Sequence, residues 1–458
     1  MRLSTLSVLG PALGCAFLLF DSSLAYLPSY MRGSKGQIYM KEKSQRVVVT
    51  GLGPISAVGI GKDAFWKALL EGKSGIDRIS GFDPSGLTCQ IGAEVKDFDA
   101  KPYFKDRKSA VRNDRVTLMG VAASRIAVDD AKLDLSSVEG ERFGVVVGSA
   151  FGGLQTLETQ IQTMNEKGPG SVSPFAVPSL LSNLISGVIA LENGAKGPNY
   201  VVNSACAAST HALGLAYAHI AHGEADVCLA GGSEAAVTPF GFAGFCSMKA
   251  MATKYNDNPS QGSRPFDKDR CGFVMGEGAG MVVLESLEHA QKRGAHIYAE
   301  VAGFGQACDA HHITTPHPEG AGLAQAITLA LEDAGMAKED LTYINAHGTS
   351  TAYNDKFETL AVKKALGEEV AKKMYLSSTK GSTGHTLGAA GGLEAIATVL
   401  AIETKTLPPT INYETPDPDC DLNVVPNKPI TLNEITGAAS QSAGFGGHDS
   451  VVVFKPFK

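Results

Sequence analysis

The sequence predicts an α/β fold with largely parallel sheets. Short apolar runs recur along the chain, and longer helical stretches separate them, which is the alternation expected of strands and crossover helices. The expected strands are residues 46–53, 143–147, 227–230, 281–284, 298–301, 343–346 and 451–454. The expected helices are residues 63–70, 115–130, 210–222, 322–334 and 355–366.

The folded part is predicted to contain two related halves, residues 46–297 and 298–458. Residues 143–149 (FGVVVGS) and residues 341–347 (LTYINAH) are each a predicted strand that ends in a turn with a polar side chain suited to catalysis. Any α/β protein offers such pairs, so this pattern alone is a weak indication of a repeat.

The composition allows a large core and excludes several classes of protein. Hydrophobic residues make up 44% of the 458 residues and charged residues 19%, which argues against disorder. The formal net charge of −7 lacks the basic excess of a nucleic-acid-binding protein. The eight cysteines are scattered without a CxxC pair, which fits neither a structural zinc site nor a disulfide-rich scaffold.

The first 45 residues are predicted to be a targeting leader. Residues 1–25 contain a short apolar run that ends in small residues, as in a secretory signal peptide. Residues 26–45 are basic, contain serine and have one acid, which is typical of a transit peptide. The pair resembles the bipartite leader of complex plastids in algae and related protists, which predicts the plastid stroma. The alternative is the secretory pathway.

Residues 201–214 contain the first candidate for catalysis, in the sequence VVNSACAASTHALG. An apolar strand passes into small residues and then a helix, which places Cys206 near a helix N-terminus. The helix dipole and free N–H groups there stabilise a thiolate and lower a thiol pKa from about 8.5. A buried structural cysteine is the alternative.

A histidine follows the strand in residues 345–351, NAHGTST. His347 is expected to lie in a loop that positions an imidazole beside a ligand. The alternative is a histidine whose polar atoms are satisfied by the local hydroxyl groups.

Residues 377–394 read SSTKGSTGHTLGAAGGLE and are rich in glycine. A phosphate-binding loop is rejected because Lys380 precedes the glycines, whereas the P-loop lysine follows them. Lys380, His385 and Glu394 are instead expected to form a charged network before and inside a small-residue helix.

Residues 442–449, SAGFGGHD, place Phe445 between glycines just before the last strand. This pattern predicts a flexible loop that acts as a gate or an oxyanion donor, and a simple turn is the alternative. His311 and His312 beside Asp309 lack a third ligand at helical spacing, so no metal site is assigned.

In this order the four segments resemble the β-ketoacyl-acyl-carrier-protein synthase family, most closely the type II enzymes of dissociated fatty-acid synthesis. The similarity covers residues 46–458 and includes RPFDKDRCGF at 264–273, GEGAG at 276–280 and PPTIN at 408–412. It implies a thiolase-like fold, with two similar halves in five alternating α and β layers, and usually a homodimer.

The resemblance implies a decarboxylative condensation that elongates fatty acids by two carbons. Cys206 would take an acyl group from acyl carrier protein, and malonyl carrier protein would then bind. His347 and His385 would stabilise the enolate formed on loss of carbon dioxide. Lys380 and Glu394 would hold the histidines in order.

The remaining roles are also implied by the resemblance. Backbone N–H groups of Cys206 and Phe445 would form an oxyanion hole, and Thr349 and Thr351 would bind the pantetheine amides. No metal or redox cofactor is required, since the phosphopantetheine is carried by the acyl carrier protein. No stable membrane span is expected in the mature chain.

The chain departs from the family pattern mainly in the fourth segment. The family commonly has Phe at the position of Ala443, and Thr-Asn where this chain has His448-Asp449. Asp449 therefore brings a charge where an amide is usual, and its role is open.

Two further sets of residues are predicted from the resemblance. Phe151 corresponds to a position at the floor of the acyl pocket, and Phe245 to a pocket-lining position, which predicts a preference for short to medium acyl primers. Acyl carrier proteins are acidic, so a local basic rim is expected. Its candidate members are Lys108, Arg112, Lys249 and Arg270.

Three alternatives remain at this stage. A polyketide ketosynthase would have identical catalytic residues, although the chain lacks fused reductase or carrier segments. A non-catalytic chain-length partner would lack the nucleophile, and Cys206 argues against it. A biosynthetic thiolase uses a second cysteine, and the Cys-His-His set of this chain fits it less well.

Overall fold

The computed structural model describes residues 45–458, which pack as one unit. The predicted signal peptide, residues 1–25, and nearly all of the predicted transit segment, residues 26–45, lie outside the described residues, so the localisation stays a prediction. Sixteen strands are present in the described chain: β1 Val47–Ser56, β2 Gly59–Ile60, β3 Asp77–Arg78, β4 Ile91–Gly92, β5 Phe143–Gly148, β6 Asn199–Val202, β7 Val227–Glu234, β8 Gly278–Ser286, β9 Ala299–Cys308, β10 Tyr343–Asn345, β11 Tyr375–Ser377, β12 Thr406–Leu407, β13 Asn423–Val424, β14 Ile430–Thr431, β15 Ala438–Gly444 and β16 His448–Lys455.

Thirteen α-helices connect the strands in the described part of the chain: α1 Lys62–Leu70, α2 Arg115–Asp130, α3 Leu154–Lys167, α4 Ala176–Leu180, α5 Asn183–Asn193, α6 Ala208–Ala221, α7 Pro239–Ser247, α8 Leu287–Lys292, α9 Ala321–Asp333, α10 Ala352–Leu366, α11 Glu368–Ala371, α12 Lys380–Thr383 and α13 Ala390–Thr404. All the strands and helices expected from the sequence are present.

The two halves repeat one topology. The strand order β1-β8-β7-β5-β6 in the first half matches β9-β16-β15-β10-β11 in the second, with the same parallel and antiparallel pairs at each position. A short antiparallel contact between β1 and β9 joins the two sets. The strands β5 and β10, paired in the sequence as repeat candidates, occupy equivalent positions.

The expectation of largely parallel sheets is wrong, because each five-strand set is mixed. In the first set β5 is parallel to β6 and β7, whereas β8 is antiparallel to both β7 and β1. The chain leaves β7 and enters β8 at the same end of the sheet, so no crossover is needed. The connection between them, residues 235–277, is therefore free to cover that end.

The five-layer arrangement implied by the resemblance is confirmed. Two outer apolar clusters pack α2 and α5 against the first strand set, and α9 and α10 against the second. A central cluster packs α6 and α13 between the two sets. The residues Leu387–Thr404 are long and apolar enough to cross a membrane, but 89% of them are buried, as in a soluble core helix.

Small residues allow the two central helices to lie close together. A Cβ on Gly391 of α13 would lie 2.1 Å from Thr210 Oγ1 of α6, so a larger residue would force the helices apart. The small residues that follow Cys206 and His385 in the sequence thus belong to the central layer, and they bring the starts of both helices to one place.

Candidate active site

The starts of the central helices open onto a cavity of about 340 Å³. Cys206, His347 and His385 all line it, so the structure brings together three residues that are far apart in the sequence. Thr349, Thr351, Phe245, Phe445, Lys249 and Asp449 line the same cavity.

Cys206 lies in a 3₁₀ turn, Ala205–Ala207, that leads directly into α6. The predicted position at a helix N-terminus is therefore confirmed. Ala205 has φ of 50°, a strained value for a residue with a Cβ, and Leu387 has φ of 49° in the matching turn before α13. The sharp turn points Cys206 into the cavity.

The electrostatic state of Cys206 differs from the prediction. Its residue is only 8% exposed, and burial raises the pKa of the thiol to about 12, while the nearby Lys380 charge opposes that rise. Desolvation disfavours the thiolate more than the surrounding charges favour it. The resting thiol is therefore neutral, and any reaction through its sulfur needs a base to take the proton.

The two histidines lie side by side, with ring centroids 5.3 Å apart. Burial and the Lys380 charge hold both of their pKa values well below the usual histidine range, so both rings are neutral at pH 7. Leu387 N–H donates to His385 Nδ1 at 3.3 Å, which leaves the His385 proton on Nε2. His385 thus presents a hydrogen-bond donor from its other nitrogen.

Lys380 and Glu394 form an ion pair, as predicted, whereas His385, the third expected member of the charged network, is neutral and accepts the Leu387 N–H. Lys380 is 1% exposed, and its ammonium group donates to Glu394 and, at 2.5 Å, to the backbone oxygen of His347. A fully buried lysine is tolerated because its charge is paired and hydrogen-bonded. The ion pair connects α12 and α13 to the strand-end loop that carries His347.

Glu358 is a buried site residue that the sequence reasoning missed. Its carboxylate accepts N–H groups from His347 at 2.6 Å and Gly348 at 2.8 Å, and the Gln441 amide at 2.7 Å. Burial raises the pKa of Glu358 to about 7. In the sequence it looks like a surface charge on a helix, and the only signal was its position one helix turn after the buried Asn354-Asp355 pair.

Glu234 plays a matching part beneath Cys206 and was also missed. It lies at the end of β7, where it accepts the Ala150 N–H at 2.6 Å and the Gly388 N–H at 3.3 Å. Burial raises its pKa to about 7. Glu234 therefore connects the loop after β5 to the turn before α13.

The loop that carries Phe445 lies against the turn that contains Cys206. A Cβ on Gly444 would lie 2.4 Å from Ser204 O and 3.4 Å from Cys206 N, so glycine is needed for this approach. This places the Phe445 segment beside the Cys206 backbone, where the resemblance puts the oxyanion hole. Thr349 and Thr351 also line the cavity, and their hydroxyl groups are 2.9 Å apart.

Phe245 lines the cavity, and Phe151 lies behind it. The two rings meet edge to face at a centroid distance of 6.1 Å, and Phe151 is 41% exposed. Phe245 also contacts Phe273 and Phe445. Phe151 is not among the residues that line the cavity in the described chain, and its place at the pocket floor stays a prediction.

The four docking candidates differ in position. Lys249 is exposed at the cavity, and Lys108 and Arg112 are exposed elsewhere on the surface. Arg270 is only 5% exposed at its side chain and pairs with Asp417 at 2.5 Å and Asp355 at 3.8 Å. The prediction that Arg270 is a docking residue is therefore wrong, because its guanidinium group already pairs with two carboxylates of the same chain.

This arrangement can support acyl transfer followed by carbanion chemistry. A buried thiol at a helix N-terminus can form a covalent acyl intermediate. Two neutral imidazoles beside it can stabilise negative charge on a substrate oxygen without being charged themselves.

Comparison with protein families matches residues 44–290 to the N-terminal domain of β-ketoacyl synthases and residues 298–414 to the C-terminal domain. The 3-oxoacyl-[acyl-carrier-protein] synthase 2 of Synechocystis sp. is 49% identical over 416 residues, which cover 91% of this chain and 99% of that protein. The enzyme of the same name from Staphylococcus aureus is 45% identical with the same coverage.

Solved structures give the same result. A β-ketoacyl synthase from Burkholderia phymatum superposes with a TM-score of 0.83 at 33% identity, over 91% of this chain and 100% of that chain. A type II polyketide ketosynthase in complex with its acyl-carrier protein superposes with a TM-score of 0.84 at 36% identity, over 90% of this chain and 100% of that chain. Since the sequence, the fold and the order of the cavity residues all agree, the chain belongs to the β-ketoacyl synthase family.

Proposed function

We propose that this protein condenses malonyl-acyl carrier protein with an acyl group held on Cys206, and so elongates fatty acids by two carbons. The observation that carries the proposal is the single cavity in which one thiol faces two neutral imidazoles. The identity of 45% and 49% to 3-oxoacyl-[acyl-carrier-protein] synthase 2 enzymes supports the same reaction.

The first step transfers the acyl group to the enzyme. The Cys206 sulfur attacks the thioester carbonyl, and the pantetheine thiol leaves with the proton that Cys206 gives up. Because the thiol is neutral at rest, a neutral imidazole receives this proton in transit. His347 is the better candidate, since the Leu387 N–H already fixes the His385 proton on Nε2.

The second step breaks the bond between the malonyl α-carbon and its carboxylate. Carbon dioxide leaves, and His385 stabilises the enolate oxygen with its Nε2–H, while His347 donates to the same oxygen in the tautomer opposite to the one that accepts the Cys206 proton. The enolate carbon attacks the acyl-Cys206 carbonyl, and the backbone N–H groups of Cys206 and Phe445 stabilise the oxyanion. The Cys206 thiolate then leaves and takes up one proton from solvent, which restores the neutral thiol. Both carbon fragments come from the substrates, so the reaction requires no resident cofactor.

Reconstitution tests this proposal. Purified residues 46–458 should convert acyl- and malonyl-carrier proteins to a 3-oxoacyl-carrier protein that is two carbons longer, with one carbon dioxide released per product. A polyketide ketosynthase would instead continue to extend a poly-β-keto chain. The identity of the polyketide neighbour, 36%, is lower than that of the fatty-acid enzymes, and single extension is therefore expected.

The carrier protein is proposed to dock at the rim beside Lys249. Lys249 is exposed where the cavity opens, and Lys108 and Arg112 remain exposed candidates. Lys249→Glu, and Lys108→Glu with Arg112→Glu, are expected to raise the KM for carrier-bound substrate and to weaken its salt dependence, because an acidic partner loses attraction.

Steady-state kinetics over a range of salt concentrations check this expectation. The same variants should keep their KM for a short pantetheine thioester that lacks the carrier protein. Lys373→Glu, another exposed lysine outside the cavity lining, is the matched control. An unchanged salt response in either variant would remove its residues from the docking surface.

The Phe245 and Phe151 pair is proposed to limit acyl chain length. Phe151→Gly would remove the support behind Phe245 and let its ring move outward. Each added methylene that is then buried contributes about 0.8 kcal/mol, so selectivity should shift toward longer primers by about fourfold per methylene. Competition assays with primers of graded length measure this shift, and Phe357→Leu serves as a control. Equal use of long and short primers by the unmodified enzyme would contradict a restriction.

A homodimer is proposed from one apolar face. An apolar groove runs between α3 and α4, and β6 ends the sheet with an unpaired edge. The exposed apolar side chains on or near this face are Ile161, Met164, Phe175, Val177, Leu181 and Leu191. Val177→Glu is expected to shift the particle mass from twice the chain mass toward one chain in light scattering. Leu329→Glu on α9 should leave it unchanged, and a monomeric unmodified protein would contradict the proposal.

A further inference from the structure

Asp449 is a buried carboxyl group in the cavity wall. It is the second residue of β16, and it is paired between Ala443 of β15 and Ala307 of β9. It is 2% exposed, and its Oδ2 atom has no hydrogen-bond partner within the described protein. A carboxylate held in this way is costly unless it keeps a proton or gains a donor.

Asp309 is the nearest carboxyl group and has the opposite environment. It follows β9 directly, and its Oδ2 accepts the His317 N–H at 2.8 Å, while its Oδ1 accepts the Gly322 N–H at 3.1 Å in the first turn of α9. Backbone donors at a helix N-terminus favour the charged form of a carboxyl group. Each Asp309 oxygen therefore has a backbone donor, whereas Asp449 Oδ2 has none in the described chain.

The two carboxyl groups meet above Gly322. A Cβ on Gly322 would lie 2.3 Å from Asp449 Oδ2 and 2.6 Å from Asp309 Oδ1, so both oxygens lie within 2.6 Å of one point in space. Gly322 leaves this space open, and no backbone N–H of the described chain donates to Asp449 Oδ2. A proton on Asp449 would be the simplest donor to Asp309.

The other titratable groups around Asp449 come from each element packed against it. Glu358 on α10 adds a second buried carboxyl group. His448 precedes Asp449 on β16, and its ring faces His211 of α6 at a centroid distance of 6.5 Å. Cys308 of β9 is paired with His448. Burial, Asp309 and Glu358 together raise the pKa of Asp449 to about 8.

Backbone hydrogen bonds join the segment after β9, which contains Asp309, to the loop before β16. Asp309 N–H donates to Gly447 O at 2.9 Å, and Gly446 N–H donates to Ile313 O at 2.8 Å. Gly446 and Gly447 belong to the loop that carries Phe445 past the nucleophile. Asp309 and Asp449 thus lie next to the hydrogen bonds that hold this loop against the segment after β9.

We propose that Asp449 holds a proton and donates it to Asp309 Oδ1, and that this hydrogen bond latches the Phe445 loop onto the segment after β9. Loss of the proton to solvent leaves two adjacent carboxylates, whose repulsion opens the loop. Asp449 is a positioning residue, since it acts on the reaction through Phe445. Its effect on activity rests on the proposed function, whereas its effect on stability does not.

Two pH windows follow from the raised pKa. An unfolded aspartate has its ordinary pKa near 4, so the folded protein alone holds the proton between about pH 4 and about pH 8. Stability from this group is fully present below about pH 4 and is lost as the pH rises to about 8. Activity should instead fall above about pH 8, where the latch opens, by up to about tenfold per pH unit.

Asp449→Asn provides the direct test, because an amide N–H can donate to Asp309 at every pH. We expect this variant to match the unmodified protein in kcat/KM below about pH 7 and to lose the alkaline limb near pH 8. Its Tm should decline less than that of the unmodified protein between about pH 5 and about pH 8, because only the contributions of Glu234 and Glu358 remain. Asp257→Asn, an exposed aspartate, is the matched control and should change neither profile.

Asp309→Asn separates a coupled pair from a single buried acid. Removing the Asp309 charge should lower the pKa of Asp449 and move both the Tm decline and the activity limb to lower pH. An identical Tm decline in Asp449→Asn and the unmodified protein would overturn the proposal. So would an Asp309→Asn variant with unmoved transitions. Because Tm needs no substrate, failure of the condensing activity alone would leave this test intact.

Discussion

Replacement of Cys206 with serine is expected to lower condensation by on the order of 10⁴-fold or more, because the acyl-enzyme can no longer form. Burial of the site is expected to make this loss of activity larger than it would be at an exposed position. The site is buried and already holds the thiol in its neutral form, and a serine hydroxyl is harder still to deprotonate there. The rate of 3-oxoacyl formation measures the loss.

Two further variants define the role of Cys206. Cys206→Gln should abolish condensation but keep malonyl decarboxylation, because His347 and His385 remain in place. Cys271→Ser is the matched control, since Cys271 lines the same cavity and has no proposed role. Condensation retained by either Cys206 variant would contradict the assignment of the nucleophile.

Replacement of His347 or His385 with glutamine is expected to lower decarboxylation by about 10²–10³-fold, which is the usual effect of removing one donor to a developing oxyanion. The Cys206→Gln background isolates this step, and carbon dioxide release measures it. His222→Gln, a histidine outside the cavity lining, should have no effect. Full decarboxylation in a His385 variant would place the enolate elsewhere.

The same histidines predict a pH dependence. Both pKa values lie well below the usual histidine range because of burial and the Lys380 charge. Each ring therefore stays neutral as the pH falls through 6.5, and decarboxylation should persist there. An acid limb at the ordinary histidine pKa would show that the rings are charged in the working enzyme.

Much of the fold could be predicted because apolar strands and amphipathic helices alternate clearly. The central strand β15 could not, since its sequence AASQSAG has the composition of a loop. Its place is set by tertiary contacts, between the parallel neighbour β10 and the antiparallel neighbour β16. Small polar residues suit it because its end must lie against the Cys206 turn.

The sequence predicted several residues that the structure brings together at the cavity, but it did not predict the buried carboxyl groups that hold the surrounding backbone. Cys206, His347, His385 and Lys380 follow strand ends in segments rich in small residues, which is a visible signal. Glu358 has no such signal, because its hydrogen bonds to backbone N–H groups depend on how α10 packs.

Charge states were the least predictable feature. The sequence showed the helix N-terminus at Cys206, which favours a thiolate, but not the degree of burial, which raises the thiol pKa. The docking prediction for Arg270 is wrong for a similar reason, because the sequence does not show that Arg270 pairs with Asp417 and Asp355.

Mass spectrometry of the Cys206 peptide tests the central claim most directly. After incubation with acyl-carrier protein alone, the peptide should carry the acyl group on Cys206, and addition of malonyl-carrier protein should remove it as a 3-oxoacyl product two carbons longer. An acyl group on another residue, or one on Cys206 that malonyl-carrier protein does not discharge, would contradict the account.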